Sequence, residues 1–185
     1  YDNYDGGSNK IDTLINIINE YSANGHKMLI FSSFRTALNL VKERLDKEKI
    51  KYYMIDGGVS SKSRINMVDD FNLRKDTKVF LITLKAGGTG LNLASADVVI
   101  HLDLWWNPQA ENQATDRAHR IGQKNIVEVI HLISKGTIEE KILELQNKKR
   151  MLSDKLIDGE VRDKNLLSEL TEEDIRNLLA YENKE

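Results

Sequence analysis

Cysteine is absent from the 185-residue sequence, and proline occurs once, at Pro108. Without cysteine the chain has no disulfides and no thiolate-bound metal. The four histidines lack the spacing of metal ligands, so we expect no metal site. No apolar run approaches the ~20 residues of a membrane-spanning helix, and we expect no membrane contact. The net charge of −2 excludes coating of nucleic acid by bulk charge, so any such contact must come from a local basic patch.

The residues that are present alternate between short apolar runs and segments of helical periodicity. A hydrophobic content of 40% and a charged content of 30% are typical of a folded domain. Five runs are predicted as strands: 28–31, 52–55, 79–83, 98–102 and 126–133. Parallel strands need crossover helices, which cover both faces of the sheet. We therefore predict an α/β fold, an open parallel sheet sandwiched by helices, with a C-terminal helical extension.

The chain divides into four segments by composition and periodicity. Residues 1–8 are polar and are predicted as a linker or chain edge, and 9–136 form the α/β domain. A long helix is predicted at 137–159, where Thr137-Ile138-Glu139-Glu140 has the pattern of a capping box. The remainder, 160–185, is predicted as a polar tail with one short helix.

A glycine-rich segment, Lys85 to Gly90, follows the third predicted strand. It is not a P-loop, because that motif needs a Gly-Lys pair and the chain contains none. Glycine lacks Cβ, so the segment can expose backbone N–H groups to a phosphate. The alternative is a tight turn between a strand and a loop.

A helix is predicted to begin at Pro108, with Asn107 as its cap. Gln113, Arg117 and Arg120 would then lie on one stripe, beside an inward-packing stripe of Ala110, Ala114, Ala118 and Ile121. Two guanidinium groups on one stripe suit a polyphosphate. Because the alanines pack inward, truncating either arginine is expected to cost little stability.

The alternative for these arginines is an ordinary surface role. Arg117 and Arg120 would then pair with Glu111 or Asp116 in solvent, as exposed charges commonly do.

The segment Asp103 to Pro108, continued by Asp116-Arg117-Ala118-His119-Arg120-Ile121-Gly122-Gln123, resembles motif VI of the Swi/Snf-type DNA-dependent ATPases in helicase superfamily two. Further segments resemble other parts of the same family. Residues 8–11 resemble its entry into the second lobe, and residues 29–34 resemble motif IV, which is followed by a block that resembles 55–57, 64 and 71–72. Residues 80–93 resemble motif V, and residues 137–142 resemble the start of a bracing helix.

The resemblance implies a RecA-like second motor lobe at 9–136 and a bracing helix at 137–159. It implies that ATP with Mg²⁺ is bound mainly by the first lobe of the same parent chain. The implied catalytic residues are Arg117 and Arg120 as arginine fingers, with Gln113 beside them. The implied ATP contacts are Gly88, Gly90 and Asn92, and the implied DNA contacts are Asp56, Gly57, Arg64, Lys85, Thr89 and Trp106. Trp106 could equally be a core or lobe-interface aromatic.

The expected function is that of the second motor lobe of an ATP-dependent translocase or remodeller of double-stranded DNA. The parent would be a DNA-dependent ATPase, whereas this chain alone is expected to be a monomer without activity. Abundant lysine and asparagine suggest a bacterial source, and hence the cytoplasm and nucleoid, or the nucleus if the source is eukaryotic. Two alternatives remain: the second lobe of an RNA helicase, which the run D-R-A-H-R-I-G-Q and Trp105-Trp106-Asn107-Pro108 disfavour, and a catalytically silent binding module.

Overall fold

The structure is a computed structural model that describes residues 8–87, 90–105, 108–118, 125–157 and 176. Apart from Arg176, the predicted tail at 160–185 lies outside the described residues. None of the helices in the described ranges combines the length and the apolar character that a bilayer crossing requires.

Five parallel strands form one sheet in the order β2-β3-β1-β4-β5. They are β1 (Met28–Ser32), β2 (Tyr52–Ile55), β3 (Val79–Thr83), β4 (Val98–His101) and β5 (Glu128–His131). The residues of β1, β3 and β4 are all buried, which explains why these strands are apolar apart from the last residue of each. The predicted open parallel sheet is confirmed. The last strand is shorter than the predicted 126–133, since Ile126 is 94% exposed and lies outside the ladder with β4.

Helices cover both faces of this sheet, as parallel connections require. They are α1 (Asn9–Ala23), α2 (Arg35–Lys47), α3 (Ser61–Leu73), α4 (Leu84–Gly87), α5 (Pro108–Thr115) and α6 (Ile138–Ile157). Apolar side chains of α1 and α2 pack on one face, and those of α3, α4 and α5 pack on the other. In α3 the apolar residues Val68 and Phe71 are buried, whereas Ile65 is 59% exposed.

Serine hydroxyl groups fix where two of these helices begin. Ser8 Oγ accepts a hydrogen bond from Ile11 N at 3.5 Å, and Ser60 Oγ accepts one from Ser63 N at 3.3 Å. The predicted capping box of α6 differs from the observed bonds. Glu140 accepts from the Gly136 amide at 2.8 Å instead of the Thr137 amide, because the turn preceding α6 is displaced by one residue.

A partly buried ion pair joins the start of α6 to the start of α1. Lys10 Nζ lies 2.5 and 2.6 Å from the two carboxylate oxygens of Glu139, and it also donates to the Leu102 carbonyl at 2.9 Å. Glu139 accepts a further bond from the Ser134 amide at 2.7 Å. The two helix starts and the loop after β4 are therefore held at one point.

Candidate functional site

The carboxyl ends of β1 and β4 are tied together by Asp103. Its carboxylate accepts hydrogen bonds from the Ser32 hydroxyl and, at 2.9 Å, from the Ser33 amide. Ser32 Oγ also accepts from the Phe34 amide at 3.0 Å, immediately before α2 begins. Ligands of open α/β sheets bind beyond the carboxyl ends of the strands, so Asp103 shapes the edge where a site is expected.

Asp56 organises the carboxyl end of β2. Its side chain forms an ion pair with Arg35 Nε at 2.8 Å and accepts from the Gly58 amide at 2.8 Å. Arg64 donates to the carbonyls of Asp56, at 3.0 Å, and Val59, at 2.9 Å. Two of the implied DNA contacts, Asp56 and Arg64, are thereby brought together and hold the shape of this loop.

Arg35 is an exposed cation at this edge that the sequence reasoning missed. It is the first residue of α2, where the helix dipole disfavours a positive charge. That unfavourable position is the signal that could have identified it, because such a residue requires a compensating partner. The structure supplies one in Asp56.

The glycine-rich segment after β3 begins as one helical turn, α4, instead of an open loop. Lys85 is exposed on this turn. Gly87 approaches the Phe31 ring so closely that a Cβ would lie 2.9 Å from Cε1. Gly90 has φ +73° and is exposed, a conformation that favours glycine.

The helix that carries Gln113 ends before Arg117. α5 ends at Thr115, and the chain tightens into turns in which the amides of Arg117 and Ala118 donate three residues back, at 3.1 and 3.0 Å. Gln113 is exposed, but Arg117 is only 8% exposed. The two side chains therefore do not form one solvent-facing stripe. Because Arg117 is buried, the structure gives no support to the expectation that its truncation costs little stability.

Hydrogen bonds hold Arg117 next to the segment that follows β3. Its Nε donates to the Gln113 carbonyl at 3.0 Å, and its own carbonyl accepts from the Leu93 amide at 3.1 Å. Asn92 precedes Leu93 and is exposed, with its carbonyl accepting from the Asn72 side chain at 2.9 Å. The structure thus brings the implied catalytic Arg117 beside the implied ATP contact Asn92.

Glu111 is not available as a surface partner for the arginines. It is 2% exposed, and its Oε1 accepts from the Trp105 amide at 2.7 Å and from Gln146 Nε2 at 2.9 Å. The alternative in which Glu111 pairs with Arg117 in solvent is therefore wrong. Sequence reasoning also missed the structural importance of Glu111, because its partner Gln146 lies 35 residues away.

A buried histidine, His101, and a half-buried one, His131, lie on neighbouring strands next to Glu111. The His101 ring stacks between Phe31, at 5.7 Å, and His131, at 4.9 Å. Burial lowers the pKa of His101 to about 4, so the ring is neutral at physiological pH. Burial alone would raise the pKa of Glu111, but the contact with the His131 imidazole and the hydrogen bond from the Trp105 amide outweigh it, and the pKa is lowered.

Comparisons with known proteins show the family to which this chain belongs. The family described as helicase conserved C-terminal domain matches residues 9–122. An uncharacterized ATP-dependent helicase of Mycoplasma pneumoniae is 43% identical over 171 residues, which is 92% of this chain and 16% of that protein. The chromatin-remodeling ATPase INO80 of Drosophila melanogaster is 43% identical over 150 residues, 81% of this chain and 9% of its own length.

A solved structure agrees with the sequence comparisons. The C-terminal part of the Fun30 ATPase domain has a TM-score of 0.72 and 38% identity, and the match covers 75% of this chain and 45% of that one. The chain belongs to the Swi/Snf-type helicase family as its C-terminal lobe. The predicted family, lobe and RecA-like fold are confirmed.

This Swi/Snf-type lobe spans only 9–16% of the two curated relatives described above. Four of the implied site residues, Gly88, Thr89, Trp106 and Arg120, lie outside the residues that the structure describes. Gly57 is exposed beside Asp56, and in the part of the chain that the structure describes no residue other than its chain neighbours comes within 4 Å of the position a Cβ would take.

Proposed function

We propose that this lobe is the second motor lobe of an ATP-dependent translocase of double-stranded DNA. Its Arg117 acts as an arginine finger toward ATP that is bound by a first lobe of the same protein. The observation that carries the proposal is the fixed position of Arg117, bonded through its side chain to Gln113 and through its carbonyl to Leu93. A guanidinium group held in this way stabilises charge that develops on a transferred phosphoryl group without reorganising. The names of the relatives, ATP-dependent helicase and chromatin-remodeling ATPase, support ATP as the substrate.

The residues of this lobe fit a supporting role toward ATP and not the main one. The exposed residues Gly90 and Asn92 can offer polar groups to a nucleotide, but the chain has no Gly-Lys pair to cradle its phosphates. Among the described residues no group of three or more His, Asp or Glu side chains could hold a metal. The proposal therefore assigns Mg²⁺ and the phosphate-binding loop to the first lobe. In this lobe Arg120 and Gln113 are proposed to assist Arg117, and Gly88 is proposed to lie beside the nucleotide.

The DNA track is proposed along the carboxyl ends of β2 and β3. Arg35 and Lys85 are exposed cations at this edge of the sheet. Arg64 and Asp56 hold the shape of the loop that contains Gly57. Cations at such an edge neutralise backbone phosphates, so binding should weaken steeply with salt. Thr89 and Trp106 are proposed as further contacts. Stronger stimulation of ATP turnover by duplex RNA than by duplex DNA would contradict this assignment.

The test of the proposed function is ATP turnover of the full-length protein at saturating duplex DNA. Arg117→Ala should lower kcat by about 10³-fold or more, the effect of losing an arginine finger, and Arg117→Lys should restore little. Arg74→Ala is the matched control, because Arg74 is exposed just after α3 and its ion pair with Asp70 lies at the surface. A folded Arg117→Ala protein that keeps most of its turnover would show that Arg117 is not a finger.

The proposal also predicts that the 185-residue chain alone hydrolyses no ATP above background. The reason is the missing Gly-Lys pair, without which the β- and γ-phosphates have no cradle. Turnover can be measured with the purified chain, with and without duplex DNA. Steady hydrolysis that co-purifies with the chain through successive columns would contradict the proposal.

A further inference from the structure

A buried carboxylate lies on the inner face of the short helix that leads to Arg117. Glu111 is 2% exposed, on the same side of α5 as the buried Ala114. Burying a charge is costly unless it is paired and hydrogen-bonded, and an apolar residue would pack this helix at lower cost. The carboxylate therefore needs an explanation beyond packing.

The partners of Glu111 form a clamp around one residue, Trp105. Glu111 Oε1 accepts from the Trp105 amide at 2.7 Å, and Gln146 Nε2 donates to the Trp105 carbonyl at 2.6 Å. Gln146 Nε2 also donates to Glu111 Oε1 at 2.9 Å, which closes the ring of contacts. Both backbone polar groups of Trp105 are thus held by side chains from two helices, α5 and α6.

A second contact anchors the same carboxylate to the sheet. His131 Nε2 on β5 lies 3.3 Å from Glu111 Oε2, a distance of ion-pair contact without the direction of a hydrogen bond. α5 is consequently tied at Glu111 to β5 on one side and to α6 on the other. The clamp is itself buried, since Gln146 is 1% exposed.

The position of Arg117 depends on the helix that this clamp holds. Arg117 comes six residues after Glu111, and its amide and guanidinium bond to the carbonyls of Ala114 and Gln113 in the last turn of α5. A shift of α5 along its axis would therefore move the guanidinium by the same distance. Displacements of about 1 Å at a catalytic group can lower a rate by about 10²-fold.

We propose that Glu111 and Gln146 are positioning residues for Arg117, and that α6 sets the rate of ATP hydrolysis through this clamp. The proposal rests on the proposed function of Arg117. Gln146 belongs to α6, outside the matched family region at 9–122, so the clamp links the helicase domain to the helix that follows it.

The experiment replaces Gln146 by methionine in the full-length protein. Gln146→Met keeps the length of the side chain but removes the donor to Trp105 and Glu111. We expect kcat at saturating duplex DNA to fall by about tenfold or more, with the DNA concentration for half-maximal turnover unchanged. Asn147→Leu is the matched control, because this neighbouring amide of α6 is exposed, and we expect wild-type turnover.

Glu111→Gln provides a conservative variant and covers the case in which Gln146→Met does not fold. Its amide oxygen can still accept from the Trp105 amide, so we expect a smaller loss of kcat than with Glu111→Ala. Equal losses in the two folded Glu111 variants would show that the acceptor has no positioning role.

A double-mutant cycle with Arg117→Ala distinguishes positioning from general destabilisation. If Gln146 acts through Arg117, Gln146→Met should add almost nothing to the loss caused by Arg117→Ala. Losses that multiply, or a change confined to the DNA concentration for half-maximal turnover, would overturn the proposal. Wild-type turnover of Gln146→Met beside an inactive Arg117→Ala would overturn it and leave the proposed function standing. High turnover of Arg117→Ala would overturn the proposed function instead.

Discussion

Gly87 occupies a position where even one methyl group meets the core. A Cβ built on Gly87 lies 2.9 Å from Cε1 of Phe31 and 3.6 Å from the Ile82 side chain. Phe31 cannot easily withdraw, because it is fully buried and its ring stacks on His101 at 5.7 Å. Gly87→Ala must therefore displace either the ring or α4, the turn that begins the glycine-rich segment.

The expected cost follows from the overpacking of a filled core. Such insertions lower the free energy of unfolding by about 1–3 kcal/mol. For a domain of this size each kcal/mol corresponds to a fall of roughly 2–4 °C in Tm. Urea denaturation of the 185-residue chain measures the first quantity and thermal melting the second. Gly57→Ala is the matched control, because among the described residues only its chain neighbours come within 4 Å of the added Cβ, and its change should stay within about 0.5 kcal/mol.

The cause of the destabilisation can be tested by removing the atom that clashes. Phe31→Leu lacks Cε1, so Gly87→Ala should cost less in that background than in the wild type. The reasoning is refuted if Gly87→Ala alone is as stable as the wild type. It is also refuted if the two costs simply add, since the contact with the ring would then not be their common cause.

Two further predictions concern stability. Lys10→Met should lower the free energy of unfolding by about 1–3 kcal/mol in urea denaturation, because it leaves the mostly buried Glu139 carboxylate without its cation. The control is Lys51→Met at an exposed ion pair, which should change the free energy of unfolding by less than about 1 kcal/mol. Equal costs for the two variants would contradict the argument. Burial lowers the pKa of His101 to about 4, below the ~6.5 expected for the unfolded chain. The folded protein therefore resists protonation of this ring, and the free energy of unfolding falls as the pH decreases from ~6.5 toward 4. His101→Phe should remove this part of the pH dependence, about 3 kcal/mol between those pH values, and an unchanged slope would show that His101 is not its source.

The local sequence was sufficient for the family and for most of the elements. The strands β1, β3 and β4 are apolar except for their last residues, a pattern typical of strands buried on both faces. In the structure the hydroxyl groups of Ser8 and Ser60 each accept a hydrogen bond from an amide of the first helical turn. The motif from Asp116 to Gln123 is specific enough to indicate the Swi/Snf-type lobe without the fold.

Helical periodicity did not predict the end of α5, because a hydrogen bond from a distant part of the backbone determines where this helix ends. The helical pattern runs on past Arg117, yet α5 ends at Thr115 and the next residues turn. The Leu93 amide bonds to the Arg117 carbonyl, a contact across 24 residues that competes with continued helix. No spacing rule within the helix contains that information.

Side-chain pairing was decided by the tertiary structure alone. Arg35 meets Asp56, Lys10 meets Glu139, and Glu111 meets the α6 glutamine, each across more than 20 residues of chain. A single sequence records which groups can donate or accept, but the sheet order determines which of them meet. Burial then raises the cost of leaving any such group unpaired, so these contacts fix the edges of the site as firmly as the apolar core fixes the sheet.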